Sequence, residues 1–404
     1  MNDMTEFVAV PSIPGETVFL GLRKAAPNGE VARILLAFLA SAGLFYVNIM
    51  PALVDGLIQG AGFTNRQAGL VGSSNVYGAA TGALAAVFIV KRIVWRKWAY
   101  GLLLALIVID VVSSAIHSFE PLLVTRFAHG CVGGMLVGIG FSIIARTRNA
   151  DRTFGYLLLV QFGLGGLGLM LLPPLVPKLG TPVLFGALIL FSAATLAMVP
   201  FLTGYPLARP ASDDAPRARI DTRPLILSLL ATFLFQAGNM AVFAYVIGVG
   251  DAAGLPMTFI SPVLAAAAWI GIAGSGLVIV LSTRFGRALP LVGAIVITAI
   301  FTWALHFSSS GLVYIVANCV VGITWSFGIP YLLGMCAEFD KSGQMAALGG
   351  FASKMGLATG PMAAALVVGS NNYALVINIG AAILLLSSLA ALLPARKLDL
   401  ASRG

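Results

Sequence analysis

The sequence predicts an all-α membrane protein with twelve transmembrane helices in two pseudo-repeated six-helix bundles. Three observations carry this. Twelve apolar stretches are each about as long as the roughly 20 residues of helix that cross a bilayer's hydrocarbon core. Positive charge gathers in alternate loops. The two halves resemble each other at one offset.

The predicted spans, numbered as helices 1 to 12, are 32–54, 67–90, 98–117, 121–145, 154–176, 182–202, 224–249, 260–283, 288–306, 311–335, 345–368 and 372–394. Residues 1–31 read as a mixed polar arm, poorly ordered and cytoplasmic. Helix 1 is too long for a signal-peptide core and lacks a small-residue cleavage site, so it reads as retained. Ser73, Ser74, Asn75 and Tyr77 of helix 2 read as packing polar residues. The linker 203–223, with Pro206, Pro210 and Pro216, separates the halves, and residues 395–404 form a tail. Gly78-x-x-x-Gly82, Gly130-x-x-x-Gly134 and Gly356-x-x-x-Gly360 are close-approach faces between helices.

With the N-terminus inside, 20 of the 24 Lys and Arg residues fall in cytoplasmic segments. The positive-inside rule then places both termini in the cytoplasm and the chain in the inner (plasma) membrane. Only 10% of residues are charged, against about 25% in soluble domains. The net charge of +9 therefore belongs to membrane-facing loops near anionic lipid rather than to nucleic-acid binding. Cys131, Cys319 and Cys336 are spread over two helices and read as free thiols.

The repeat offset is about 190 to 193 residues. Gln161-Phe-Gly-Leu in helix 5 matches Lys354-Met-Gly-Leu in helix 11. Gly82 precedes Arg92 by ten residues, and Gly274 precedes Arg284 by ten. Leu44-Phe45 precede Asn48 as Leu234-Phe235 precede Asn239. Parallel repeats of this kind build many secondary transporters, with a site between the halves near midplane.

Two motifs extend the reading. Helix 4 carries Arg126-Phe-Ala-His-Gly130, and the loop after helix 8 carries Arg284-Phe-Gly286-Arg287. They resemble the helix-4 motif and the cytoplasmic loop motif of the major facilitator superfamily. The resemblance covers roughly residues 30–395. The first-half loop, Val90-Lys91-Arg92, lacks the usual aspartate, and Gly360-Pro361 lies in helix 11 rather than helix 5. The resemblance implies that helices 1, 4, 7 and 10 line a cavity and that 2, 5, 8 and 11 flank it. It places Arg126, His129 and Lys354 at the cavity, with Asp110 behind it. Arg284 and Arg287 would form an inward gate.

Ionisable groups inside a membrane are costly and invite functional readings. Lys354 lies about 13 Å into helix 11, close to midplane. The deep cavity charge is then positive, which suits a small organic anion of carboxylate type. Lys354 and Arg126 are the candidate anion contacts. Gln161, Asn239, Asn48, Tyr46, Trp325 and Asn318 are candidate hydrogen-bonding partners of the substrate, and each also reads as interhelical glue. His129 and Asp110 are candidates for proton coupling. Arg126 has a structural alternative, pairing with Asp110 to hold helices 3 and 4 together.

Gly248-x-Gly250-Asp251 and Pro51-Ala52-Leu53 resemble motifs of intramembrane aspartyl proteases, but their order is reversed and the Tyr-Asp partner motif is missing. No metal-ligand spacing and no phosphate loop occurs. The expectation is a non-enzymatic, proton-coupled symporter working by alternating access, with a small-molecule substrate and the lipid bilayer as partners. No cofactor, metal or nucleic acid is expected, and the chain is expected to act as a monomer. The alternative is proton-driven efflux of a drug or other amphiphile.

Overall fold

The computed structural model describes residues 17–19, 22–90, 92–148, 150–205, 222–281, 284–339 and 344–401. The middle of the linker, 206–221, and residues 1–16 lie outside the described residues. All twelve predicted spans fall on helices. Helix 1 runs in three pieces, Glu30–Ala42, Phe45–Asn48 and Met50–Ala61. Helices 2 to 6 are Asn65–Ile89, Trp95–Ser114, Phe119–Ile144, Ala150–Leu179 and Pro182–Met198. Helix 7 runs in two pieces, Thr222–Phe243 and Val246–Ala252. Helices 8 to 12 are Met257–Leu281, Ala288–Ala304, Gly311–Glu338, Gln344–Val367 and Tyr373–Ala401.

Among the described residues, nine helices are long and apolar enough to cross a membrane, namely helices 3 to 10 and 12. Helix 1 is broken, and helices 2 and 11 carry polar residues along their length, such as Asn75 and Lys354. The first break falls at a close contact between helices. A side chain at Gly43 would overlap the carbonyl of Gly133, so helices 1 and 4 touch backbone to backbone there. Pro51 then opens the third piece, where a missing N–H costs nothing. Helix 2 starts on a capping box, with Gln67 N–H donating to Thr64 Oγ1 at 3.2 Å and Thr64 N–H to Gln67 Oε1 at 3.0 Å.

The repeat is present in three dimensions. Gly82 packs on the carbonyl of Cys131, and adding 192 to each residue gives Gly274 on the carbonyl of Ile323. Gly130 packs on the carbonyl of Asn75, and the same shift gives Gly322 on the carbonyl of Ala267. Helices 2 and 4 therefore pack as helices 8 and 10 do. This register pairs Gln161 with Ser353, one residue before Lys354.

The described part of the arm, from Thr17 on, departs from the expected poor order. Thr17–Phe19 and Leu22–Arg23 pair as an antiparallel hairpin. Ala25 N–H donates to Phe201 O at 2.9 Å, Tyr205 Oη to Pro27 O at 2.9 Å and Arg148 N–H to Asn28 Oδ1 at 2.8 Å. Glu30 then pairs with Arg33 at 3.0 Å and Arg152 at 3.1 Å. Backbone groups supply most of these bonds, so no side-chain pattern announced them.

These contacts mark the linker face of the molecule. There the identified ion pairs stay within one half. The hydrogen bonds that cross between halves lie from the middle to the far face. Asn65 Nδ2 donates to Asn371 Oδ1 at 2.8 Å, and Tyr245 Oη to Asn65 O at 2.8 Å. Nearer the middle, Ser73 Oγ bonds Ala358 O, and Tyr77 Oη meets Thr359 Oγ1 at 2.8 Å.

Candidate functional site

A cavity of about 280 Å³ lies between the halves. Helices 1 and 5 line it from the first half, and helices 7, 8, 10 and 11 from the second. No residue of helices 2 or 4 lines it. Its wall is apolar, with Phe162, Phe243, Leu264 and Val321 among the larger contributors and no charged side chain.

Four of the predicted contacts line it: Asn48, Gln161, Asn318 and Trp325. Asn48 Nδ2 donates to Gln161 O at 3.3 Å, tying helix 1 to helix 5. Asn318 Nδ2 donates to Tyr314 O in its own helix at 2.8 Å. The Gln161 amide and Ser275 hydroxyl make no hydrogen bond among the described residues, so both stay open to a ligand, as do the Oδ1 atoms of Asn48 and Asn318. Trp325 is already committed. Its Nε1 donates to Gln236 Oε1 at 2.7 Å, and Gln236 Nε2 donates to Ser353 Oγ at 2.8 Å. Phe243 stands edge-on to Trp325 at 5.5 Å between centroids. Gln236 fixes the indole, and both its amide ends are used.

Lys354 follows Ser353 and lies one turn from Leu357 of the cavity wall. It is half-buried and has no hydrogen bond or ion pair among the described residues. It is a membrane-depth cation beside an apolar cavity.

Arg126 and His129 do not reach this cavity. Arg126 Nη1 donates to Asp110 Oδ1 at 2.8 Å, and Nη2 donates to Ser113 Oγ at 2.5 Å. Both members of the ion pair are fully buried. Asn75 Nδ2 donates to Arg126 O at 3.0 Å and to His129 Nδ1 at 2.8 Å. That leaves the imidazole proton on Nε2, which faces Asp110 Oδ2 at 3.3 Å. Asp110 thus gathers the Arg126 guanidinium and the His129 imidazole on the helix 3 side of helix 4. The glycine face of helix 4 packs on helices 1 and 2, so the cavity is not lined by helix 4 as the resemblance implied. Two further expected contacts are also displaced. Tyr46 is buried against the His129 ring at 6.0 Å. Asn239 is buried and donates to Phe235 O in its own helix at 2.9 Å.

The loop after helix 8 is held within its own half. Gly286 has φ +74, a conformation that favours glycine. That turn lets Arg287 N–H and Ala288 N–H donate to the Asp399 carboxylate at 2.6 and 2.9 Å. Arg287 also pairs with Glu338 at 2.7 Å. Arg284 is exposed. Asp251 of the protease-like pattern is exposed at the far face, within electrostatic range of buried Asp55, and neither lines the cavity. Asp55 was not singled out in the sequence, because an acid at the end of a helix reads as a solvated loop residue.

Two six-helix halves that repeat in parallel around a mid-membrane cavity define a transporter. The sequence profile described as Major Facilitator Superfamily matches residues 34–361, and the chain belongs to that family. It is therefore a multi-pass membrane protein that carries small molecules. Solved structures share the fold. A peptide transporter POT mutant has TM-score 0.72 and 12% identity, covering 96% of this chain and 97% of its own. A nucleoside transporter NupG mutant has 0.68 and 12%, covering 90% and 98%. The human organic anion transporter MFSD10 (TETRAN) has 0.65 and 15%, covering 91% and 100%. No curated protein matches by sequence.

Proposed function

We propose that the chain is a secondary active transporter for a small organic anion with an apolar body, an aliphatic or aromatic carboxylate, moved by alternating access with a proton. The carrying observation is Lys354, a cation at membrane depth without a partner among the described residues, one turn from an apolar cavity wall. An unpaired charge there is expensive, and a carboxylate would relieve it. The open amides of Asn48, Gln161 and Asn318 would orient the ligand, while Trp325 would give it a fixed aromatic wall. Asp110 and His129 would carry the coupling proton, since they form a buried acid–imidazole contact. The linker face would be cytoplasmic, as the charge count argues, and this conformer would be the inward-facing one of a monomer in the inner membrane. Arg126, Tyr46 and Asn239 are left out of the ligand set.

A second reading has one observation in its favour. The cavity wall itself is uncharged, which suits proton-driven efflux of an amphiphile. Calorimetry on purified protein separates the two, using a panel of carboxylates and a panel of lipophilic cations. On the first reading the best carboxylate binds, and Lys354→Gln weakens it by about 1.5–3 kcal/mol, the usual worth of a hydrogen bond to a charged group. Equal affinities in wild type and a variant of equal thermal stability overturn the role of Lys354. Binding of cations alone favours the second reading.

A further inference from the structure

We propose that the ligand enters the cavity sideways from the membrane, through the linker-side half of the seam between helices 5 and 8, beneath Trp269. The site is the cavity already described, so the inference deepens the anion reading by naming its class: an amphipathic carboxylate resident in the bilayer.

The cavity is off-centre. It draws its wall from helices 5 and 8 but nothing from helices 2 and 4. At the helix 5–8 seam, residues adjacent in the chain face the cavity and the outer surface. Ala268 faces the cavity, and the next residue, Trp269, is 42% exposed on the outer surface. On the facing helix Phe162 lines the cavity, and the next residue is Gly163.

Trp269 closes the seam at one level. Its Nε1 donates to Gly163 O at 3.0 Å, across the two halves. Towards the far face the seam is tight, because a side chain at Gly166 would overlap the Trp269 indole and approach the Ala265 carbonyl. Towards the linker face each stripe continues as a glycine, Gly155 eleven residues from Gly166 and Gly276 seven from Trp269, and both are exposed. Positions where side chains would stand at Gly155 and Gly276 have no heavy atom within 4 Å. The opposite seam, between helices 2 and 11, is shut at the middle by the Ser73–Ala358 and Tyr77–Thr359 bonds.

An apolar chain that passes from lipid directly into an uncharged apolar cavity avoids exposure to bulk water on the way. Its carboxylate can trail on the linker side, where Lys354 lies relative to Leu357. A water-soluble ligand gains nothing from such a doorway.

The test uses a lipid-borne reagent. Val321, on helix 10, lines the cavity. Val321→Cys is placed in a background lacking Cys131, Cys319 and Cys336, in phosphatidylcholine–phosphatidylglycerol nanodiscs. A phospholipid with a maleimide on its acyl chain should label it. Gly276→Trp, which plugs the seam, should slow that labelling at least fivefold. A water-soluble maleimide should label both at rates within twofold. Gly155→Trp should act as Gly276→Trp does, and Gly186→Trp on helix 6 should have no effect. No labelling by the lipid reagent, equal labelling with the plug, or equal slowing of both reagents each overturns the route. The ligand class is read separately. Labelled dodecanoate should bind wild type at least tenfold faster than Gly276→Trp, while benzoate binds both alike. Benzoate binding without dodecanoate overturns the amphipathic class. If no carboxylate binds, the anion reading fails, and the maleimide result still decides the route.

Discussion

Asp110→Asn is the sharpest probe of the buried charges. Arg126 Nη1 donates to Asp110 Oδ1 at 2.8 Å, and both side chains are closed to solvent. Nη2 keeps Ser113 Oγ, but Nε has no partner among the described residues. An amide at position 110 therefore leaves a full charge buried with about half its donors satisfied. Breaking such a pair on one side costs about 3–5 kcal/mol. Losing one charge-assisted hydrogen bond alone would cost about 1.5–3 kcal/mol, so the larger figure is the signature of the stranded charge. Adding Arg126→Gln removes that charge and should return at least about 2 kcal/mol. The measurement is SDS-titrated unfolding in mixed micelles, followed by circular dichroism, on both single variants and the double. A cost for Asp110→Asn under about 1 kcal/mol, or additivity in the double, refutes the buried pair.

The remaining predictions concern gate, packing and orientation. Neutralising Arg284 and Arg287 together should slow transport and change accessibility at the linker face. It should leave folding nearly intact, because the half-exposed Arg287–Glu338 pair is worth at most about 1 kcal/mol. Unchanged transport and accessibility would rule this out. Gly274→Ala should destabilise by about 1–3 kcal/mol, since its methyl would overlap the Ile323 carbonyl. Gly276→Ala, in open space, should be neutral or slightly stabilising, and thermal unfolding in detergent that ranks them otherwise counts against the packing. Cysteines at Ser212 and Ser402, both outside the described residues, should resist membrane-impermeant thiol reagents in intact cells. Labelling of either without permeabilisation would reverse the proposed orientation.

The helices were legible because lipid leaves a chain few options. Each span must satisfy its own backbone, so length and hydropathy suffice to find it. The close contacts of Gly82 and Gly130 were legible as glycine spacings. The breaks in helices 1 and 7 were not. Gly43, at the first break in helix 1, meets Gly133 across space, and Tyr245, at the break in helix 7, donates to the Asn65 carbonyl. Asn48, Gln161, Asn318 and Trp325 were found as polar residues at membrane depth. Arg126 and His129 looked the same in sequence, except that Arg126 could also be read as the partner of Asp110 on helix 3. What separated them was Asp110, sixteen residues before Arg126 in chain order but 2.8 Å away in space. Ser275 of the cavity wall carried a weak signal, a lone hydroxyl among glycines.

The repeat explains where the cavity sits. Shifting the first-half network by 192 residues turns Asp110, Arg126, His129 and Asn75 into Thr302, Asn318, Val321 and Ala267. Asn318, Val321 and Ala267 are smaller than their mates, Thr302 is about the size of Asp110, and none of the four is charged. In the first half the four side chains are buried and in contact with one another. In the second half the same scaffold positions hold less volume, and Asn318, Val321 and Ala267 all line the cavity. The helix 2–4 and 8–10 glycine contacts are alike, so the helices cannot close in to absorb the difference. Protein interiors resist voids because lining atoms lose their contacts. A void kept on one side of a repeat, and filled on the other by an ion network, is what a ligand site in one half and a titratable relay in the other would require. The buried charges and the open space are then two outcomes at one set of positions, and most residues that line the cavity belong to the second half.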